Sequence, residues 1–287
     1  MRIAILGATG VFARHLLPRL AADGHELIAI ARDPNRATTA QALGIEQRAG
    51  DIFDETSLTE ALAGAELCLN LATALPGPSG RGSFEANDQL RRDGVPVLLR
   101  GLQNAGVTRL LQQSIALIAT SGEDLNDGTI SPVPQGDGLA AKTLRAALAM
   151  ETAVQAAPLD WTILRGGLFY GPGTGLDDTW FDQAAAGKLL MAGAGADFLS
   201  LVHIADMAEA TRRAVSRSNP GQILAISDDE PVRWRDIFGH IATLSGGPAP
   251  IQGGPPRFAS FRVSNARARD LLDWQPHYPS YRQGLAR

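Results

Sequence analysis

The stretch Met1-Arg2-Ile3-Ala4-Ile5-Leu6-Gly7-Ala8-Thr9-Gly10-Val11-Phe12-Ala13 decides the fold. A short apolar run stops at Gly7, a second glycine follows three residues on, and a helical pattern begins at once. Strand, tight turn and helix in that order aim backbone N–H groups and the positive end of a helix at one point, where a pyrophosphate can sit. Gly7 permits the sharp turn, and Gly10 keeps side-chain atoms away from the approaching phosphate. Ala13, where a third glycine is usual, is small enough for close helix–strand packing. Thr9, Val11 and Phe12 lie in the same turn and are expected to line the same ligand.

Outward from this turn, the first half of the chain alternates two periods. Strand-like runs fall at 2–6, 26–31, 46–49, 66–71 and 108–114. Helix-like stretches fall between them at 10–23, 34–43, 57–63 and 84–105, and a further helix at 138–156 leads to an apolar strand at 161–164. Such alternation predicts parallel strands joined by right-handed crossovers, a doubly wound α/β sheet. After Arg165 the pattern changes. A loop rich in turn formers, Tyr170-Gly171-Pro172-Gly173-Thr174-Gly175, precedes less regular elements. These are a helix at 178–186, a strand near 198–202, a helix at 204–215, a strand at 222–226, and helices at 232–244 and 266–272. Residues 121–137 and 245–257 read as loops of the kind that overhang a site. The expected division is a nucleotide-binding domain over 1–165 and a smaller mixed lobe over 166–287, with some elements returning to the core sheet.

Composition narrows the function. With 287 residues, 45% hydrophobic and 20% charged, the chain is long enough for a substantial core. A net charge of -4 and no basic block give no footprint for nucleic acid. No apolar run is long enough to span a bilayer, and the first strand leaves no room for a signal peptide, so a cytoplasmic protein is expected. The single cysteine, Cys68, sits in an apolar run and reads as a buried hydrophobe. The five histidines have no metal-ligand spacing, and no metal is expected.

The second strand settles which nucleotide is expected. An acid at its end accepts from the ribose 2′-OH in NAD-binding folds. Here Ala31 holds that place and Arg32 follows, a guanidinium suited to a 2′-phosphate. NADP is therefore favoured, and Asp33 next door keeps NAD open. Asp51 and Ile52 follow the third strand, where an acid can meet the adenine amino group; Asp51 reads equally well as a helix cap. Leu71, Ala72 and Thr73 follow the fourth strand and let the backbone approach the cofactor.

With these pieces in order, the chain resembles the extended or atypical short-chain dehydrogenase/reductases, the NAD(P)-dependent epimerase/dehydratase branch. The likeness rests on Gly7-Ala8-Thr9-Gly10, Gly50-Asp51, Ala105-Gly106-Val107 followed by Ser114, and Trp161-Thr162-Ile163-Leu164-Arg165. It continues through Tyr170-Gly171-Pro172-Gly173, residues 198–208, and Leu271-Leu272-Asp273-Trp274-Gln275-Pro276. It implies a Rossmann-like sheet, a nicotinamide cofactor, a C-terminal lobe for a small-molecule substrate, and a homodimer through the long helices.

The resemblance also implies a Tyr-x-x-x-Lys pair one helical turn apart, with a serine across the substrate. Ser114 matches the serine. The pair does not match: the chain has three tyrosines, Tyr170, Tyr278 and Tyr281, and none precedes a lysine by four. One register sets Lys142 on the lysine and Gly138 on the tyrosine. The other anchors on Glu151 and sets Thr143 and Ala147 in the two places; it keeps the helix ungapped and is preferred. Aligning Gly94 with the family's helix glycine puts Arg91 where an asparagine is usual, with Asn87 one turn earlier. The candidate catalytic residues are thus Ser114, Tyr170 as a relocated acid or packing ring, and Thr143. Arg165 is expected to orient a loop or meet the substrate, His203 to be structural, and Trp180 and Lys188 to set specificity. An NADP-dependent oxidoreductase or epimerase-type enzyme acting on a small hydroxyl- or carbonyl-bearing metabolite is the leading reading; a silent NADP(H) sensor is the alternative.

Overall fold

The computed structural model describes residues 1–76, 82–254 and 259–286. Along the chain, β1 (Arg2–Leu6) runs into α1 (Val11–Ala22), then β2 (Glu26–Ala31). A 3-10 turn at Pro34–Arg36 precedes α2 (Thr38–Ala42) and β3 (Glu46–Ala49). Next come α3 (Glu55–Leu62), β4 (Leu67–Asn70) and α4 (Phe84–Gln89). A π turn at Leu90–Gly94 carries the chain directly into α5 (Val95–Asn104). Strand β5 (Arg109–Ile115), α6 (Leu139–Ala156) and β6 (Asp160–Gly166) follow.

The remaining elements are shorter on average. They are β7 (Leu168–Tyr170), α7 (Leu176–Ala185), β8 (Leu190–Ala192), β9 (Phe198–Leu199) and β10 (Leu201–His203). Then come α8 (Ile204–Arg217), β11 (Gln222–Ile226), β12 (Val232–Arg233) and α9 (Trp234–Ser245). The last are β13 (Ile251–Gly254), α10 (Ala266–Leu272) and α11 (Tyr281–Gly284).

Seven strands form one sheet in the order β11-β6-β5-β4-β1-β2-β3, and β1 is parallel to both β2 and β4. The doubly wound Rossmann-like sheet read from the sequence is therefore the fold. Its central strands are buried on both faces: Ile3, Ala4, Ile5, Cys68 and Leu69 are all 0% exposed. That explains why they read as continuous apolar runs rather than alternating ones. Burial also pushes the Cys68 thiol well above its usual range, as suits an inert core residue.

By density of internal contacts the chain forms two units. The first comprises 1–114, 134–164 and 211–223; the second comprises 115–133, 165–210 and 224–287. The core of the first includes Ile28, Leu58, Leu98, Met150 and Ile163. That of the second is built on Tyr170, Trp180, Trp234, Phe238 and Tyr281.

Departures from the sequence pattern fall where elements are short or irregular. The helix expected over 84–105 contains the π turn, and Pro96, without an N–H, cannot join a regular i to i−4 ladder there. The single strand expected near 198–202 is two, broken at Ser200. Val232 begins a two-residue strand before α9 rather than the helix itself. Strands β7, β8 and β13 have three or four residues each, too few to carry a period. Strand β13 lies within the loop expected at 245–257, of which 255–257 are outside the described residues.

Candidate functional site

The turn between β1 and α1 is shaped by close backbone approach. Gly7 has φ of 80°, and a Cβ there would stand 2.7 Å from the Leu71 carbonyl carbon and 2.8 Å from the Ala72 nitrogen. Gly10 N–H closes the turn onto the Gly7 carbonyl at 2.9 Å. Helix α1 has no side-chain cap and no acid in its first turn. Its positive end is left for an anion, and its fold position is the crevice beside β1 and β4, where the strand order reverses.

The other side of this crevice is held by side chains. Asn70 Oδ1 accepts from Ala72 N–H at 3.2 Å, and Asn87 Oδ1 accepts from Ala74 N–H at 3.0 Å. Asn70 in turn donates to Gln112 Oε1 at 2.9 Å, across the β4–β5 pairing. The residues after β4 are thus fixed near Gly7. Gly7, Gly10 and the uncapped helix fit a nucleotide diphosphate. Asn70 and Gln112 carry no motif, and only their polar character in apolar strands marks them.

At the end of β2, Arg32 and Asp33 are both exposed. Asp33 caps the next turn by accepting from Asn35 N–H at 3.2 Å, whereas Arg32 has no ion pair among the described residues. Asp51 makes a local turn, accepting from Phe53 N–H at 3.1 Å. The cap of α3 is Asp54, which accepts from Thr56 and Ser57 N–H. Ile52 is buried beneath.

A second feature of the first unit is a polar cluster on the inner face of α6. Thr143, Ala147 and Glu151 follow at four-residue spacing and are 8%, 0% and 1% exposed, so they form one buried stripe. Ser114, at the end of β5 and 1% exposed, donates to Glu151 Oε1 at 2.6 Å. Thr143 donates to Asp88 Oδ2 at 3.1 Å. Arg91, one turn beyond Asp88 and inside the π turn, is 5% exposed and interacts electrostatically with Asp88 and Glu151. Burial holds its pKa below the usual arginine value, a shift that the Asp88 and Glu151 carboxylates oppose. Asp88 was not singled out from the sequence, although an acid and an arginine three apart in a helix otherwise packed inward are a signal.

The second unit contains the remaining candidates. Tyr170 is 0% exposed with no hydrogen-bond partner for its hydroxyl, and burial and the nearby Asp228 push its pKa far up. That environment suits a packing ring rather than an acid. His203 stacks between Tyr170 and Tyr278, at 5.3 and 4.0 Å between ring centres, and its Nδ1 accepts from Ala205 N–H. Arg165 donates to the Gly128 and Ile130 carbonyls and to Ser131 Oγ, so it orders the 121–137 loop. Trp180 is 1% exposed and packs edge-on against Trp234 and Phe238, while Lys188 is exposed. No cluster of three metal-ligating side chains occurs among the described residues, and none of their helices is long and apolar enough to cross a membrane.

The chain belongs to the NAD(P)H-binding family, whose sequence profile matches residues 7–185. It is 32% identical to a 3-diazoavenalumate denitrifying reductase from a Streptomyces species, with 100% of each chain covered. Among solved structures it is similar to UDP-glucuronic acid 4-epimerase from Bacillus cereus, in complex with UDP-glucuronic acid and NAD. That match has a TM-score of 0.82 and 19% identity and covers 99% and 96% of the two chains. The dTDP-glucose 4,6-dehydratase DesIV of Streptomyces venezuelae, also solved with NAD, gives a TM-score of 0.81 at 19% identity over 100% and 95%. The epimerase/dehydratase fold read from the motifs is thus established, along with an NAD(P)-binding domain.

Proposed function

We propose that the chain is an NADPH-dependent reductase of a small carbonyl-bearing metabolite, working without a phenolic acid. The observation that carries this reading is the buried stripe Thr143-Ala147-Glu151 in the place of a Tyr-x-x-x-Lys pair. Epimerases and dehydratases of this fold begin by oxidising an alcohol, which requires a base able to take the hydroxyl proton. A threonine already bonded to Asp88 is a poor base, so the oxidative direction loses its support. Reduction asks less of the protein, because water can supply the proton after hydride has moved. A bound nicotinamide supplies that hydride. Ser114, near the end of β5, positions the reacting group or the carboxamide; Gly7, Gly10 and the residues after β4 hold the diphosphate; Arg32 takes the 2′-phosphate.

A second reading is favoured by the 32% identical relative. Hydride on the terminal nitrogen of an aryl diazonium gives an aryldiazene, which loses dinitrogen as the C–N bond breaks, the N–H proton is released and the ring carbon takes up a proton, so no proton donor at oxygen is needed. The same missing phenol suits that chemistry. Location in the cytoplasm and pairing of two copies through the long helices belong to the same proposal, and elution at the mass of one chain removes the dimer.

The test follows NADPH absorbance with aldehydes, ketones, quinones and an aryl diazo compound. Turnover with at least one class, reduced at least tenfold in Ser114→Ala, is expected. Tight NADPH binding with no turnover of any class would leave the sensor as the function.

A further inference from the structure

Arg91 stands out among the buried charges of the first unit. Its side chain is 5% exposed, Nη1 is buried without a partner, and no hydrogen bond from the guanidinium occurs among the described residues. Asp88 and Glu151 balance it electrostatically, yet each carboxylate already accepts a hydroxyl hydrogen, from Thr143 and Ser114 respectively. A buried guanidinium is costly unless acceptors complete its donors, yet Arg91 Nη1 and the buried Oδ1 of Asp88 both stand without a hydrogen-bond partner.

The donors of the cluster are one-sided. A carboxylate only accepts, so the Ser114 and Thr143 hydrogens point to Glu151 and Asp88. Toward a ligand, these two hydroxyls offer lone pairs. Unused donors remain on Arg91, the charged one, and on the neighbouring Asn87 amide. Arg91 lies in the π turn, which packs on α6.

We propose that Arg91 is the hydrogen-bond donor to the substrate oxygen that gains negative charge as hydride arrives, in place of the missing phenol. The proposal rests on the reductase reading and narrows its substrate. Arginine does not give up its proton, so it stabilises an oxyanion without neutralising it. A bound reduced nicotinamide would supply hydride to a conjugated carbonyl system, whose π electrons would shift onto the oxygen that Arg91 holds. That anion is held at Arg91 until a proton from water completes the product. The substrate must yield an anion that persists near neutrality. Quinones and related conjugated carbonyls do so, since a phenol ionises near pH ~10, whereas a simple alkoxide is far more basic. The lone pairs of Ser114 and Thr143 suit a hydroxyl elsewhere on the same ring.

The test separates binding from turnover. The full chain, saturated with NADP, is titrated with 4-nitrophenol, whose absorbance reports its ionisation. The wild type is expected to bind the phenolate and shift ionisation to lower pH, Arg91→Met to lose binding about 100-fold, and Arg91→Lys about tenfold. Circular dichroism and NADP calorimetry check that each variant is folded and loaded. Binding of the neutral phenol, no binding by the wild type, or equal binding by folded Arg91→Met overturns the proposal, and the wild-type outcomes decide even if Arg91→Met does not fold. Intact phenolate binding without NADPH oxidation of any substrate would sink the reductase reading alone. With turnover, quinones should outpace simple ketones with a solvent isotope effect near one; a large effect overturns the role of Arg91.

Discussion

The β1–α1 turn and the α4–α6 face lie in the same unit and are built on opposite principles. The turn is made of main chain: Gly7 at φ of 80°, the Gly10 N–H and an uncapped helix end, all within a dozen residues. The face is made of side chains, Asp88 and Arg91 on one helical run and Thr143 and Glu151 on another, joined only by packing. The first keeps the shape shared by relatives that act on many substrates. The second carries Thr143 and Ala147 at the two positions where the resemblance implies a Tyr-x-x-x-Lys pair. A binding site made of backbone survives divergence of side chains; a catalytic site made of side chains is where divergence shows.

The sharpest way to break this comparison is Glu151→Ala. It removes one of two carboxylates beside a buried guanidinium and the acceptor of the Ser114 hydroxyl. Leaving such a charge short of compensation costs about 3–5 kcal/mol, which chemical denaturation would read directly. Pairing the change with Arg91→Met should recover a large part of the loss. No recovery would mean that the two side chains are not coupled. Gly7→Ala attacks the other region. Its Cβ would press on the Leu71 and Ala72 backbone in a conformation alanine avoids, a strain of about 1–3 kcal/mol. The expected result is about 100-fold weaker NADPH binding by calorimetry with a melting temperature lowered by several degrees in a single cooperative transition. Unchanged affinity would remove the nucleotide from this turn.

The contrast sharpens when a buried acid without a cation is set beside Glu151. Asp228 is 2% exposed, its Oδ2 has no partner, and burial raises its pKa to about 8. The unfolded chain releases that proton near pH ~3.9, so folding takes up a proton between the two values. Stability from this group is fully present below the lower value and is lost as pH rises through the upper one. Asp228→Asn removes the titration. Relative to wild type it should gain about 2 kcal/mol between pH 6.5 and 8 in denaturation midpoints, then level off. A constant difference across that range would show that Asp228 does not titrate as described.

Arg32→Ala has a smaller expected effect. An exposed guanidinium facing a 2′-phosphate is worth about tenfold in affinity, so NADPH should weaken by that factor and NADH hardly at all. Equal losses would make the cofactor NAD. The result bears on how much of the site was legible in sequence. The seven strands of the main sheet, their order of appearance and the glycine turn were readable because each is set by local pattern and main-chain geometry. The missing tyrosine was readable too, since counting residues suffices. The Asp88–Arg91–Glu151 arrangement was not. It depends on a π turn and on packing between residues some sixty positions apart, and helical periodicity carries neither. Asn70 with Gln112 escaped for the same reason, because strand pairing joins them across 42 positions.

Tyr170 is the case where a sequence argument by elimination meets packing. It is the tyrosine in the glycine-rich loop, and a site short of a phenol invites its use as the acid. Its ring lies edge-on to His203 at 5.3 Å, its hydroxyl is buried and unpartnered, and Gly284 leaves no room even for a Cβ beside that oxygen. Burying a hydroxyl without a partner is unfavourable, so deleting the oxygen costs little or stabilises slightly. Tyr170→Phe should therefore change stability by less than about 1 kcal/mol and leave turnover within about twofold of wild type. A larger loss of turnover in a folded Tyr170→Phe protein, carried by kcat with KM unchanged, would return the phenol to the chemistry and take the role from Arg91.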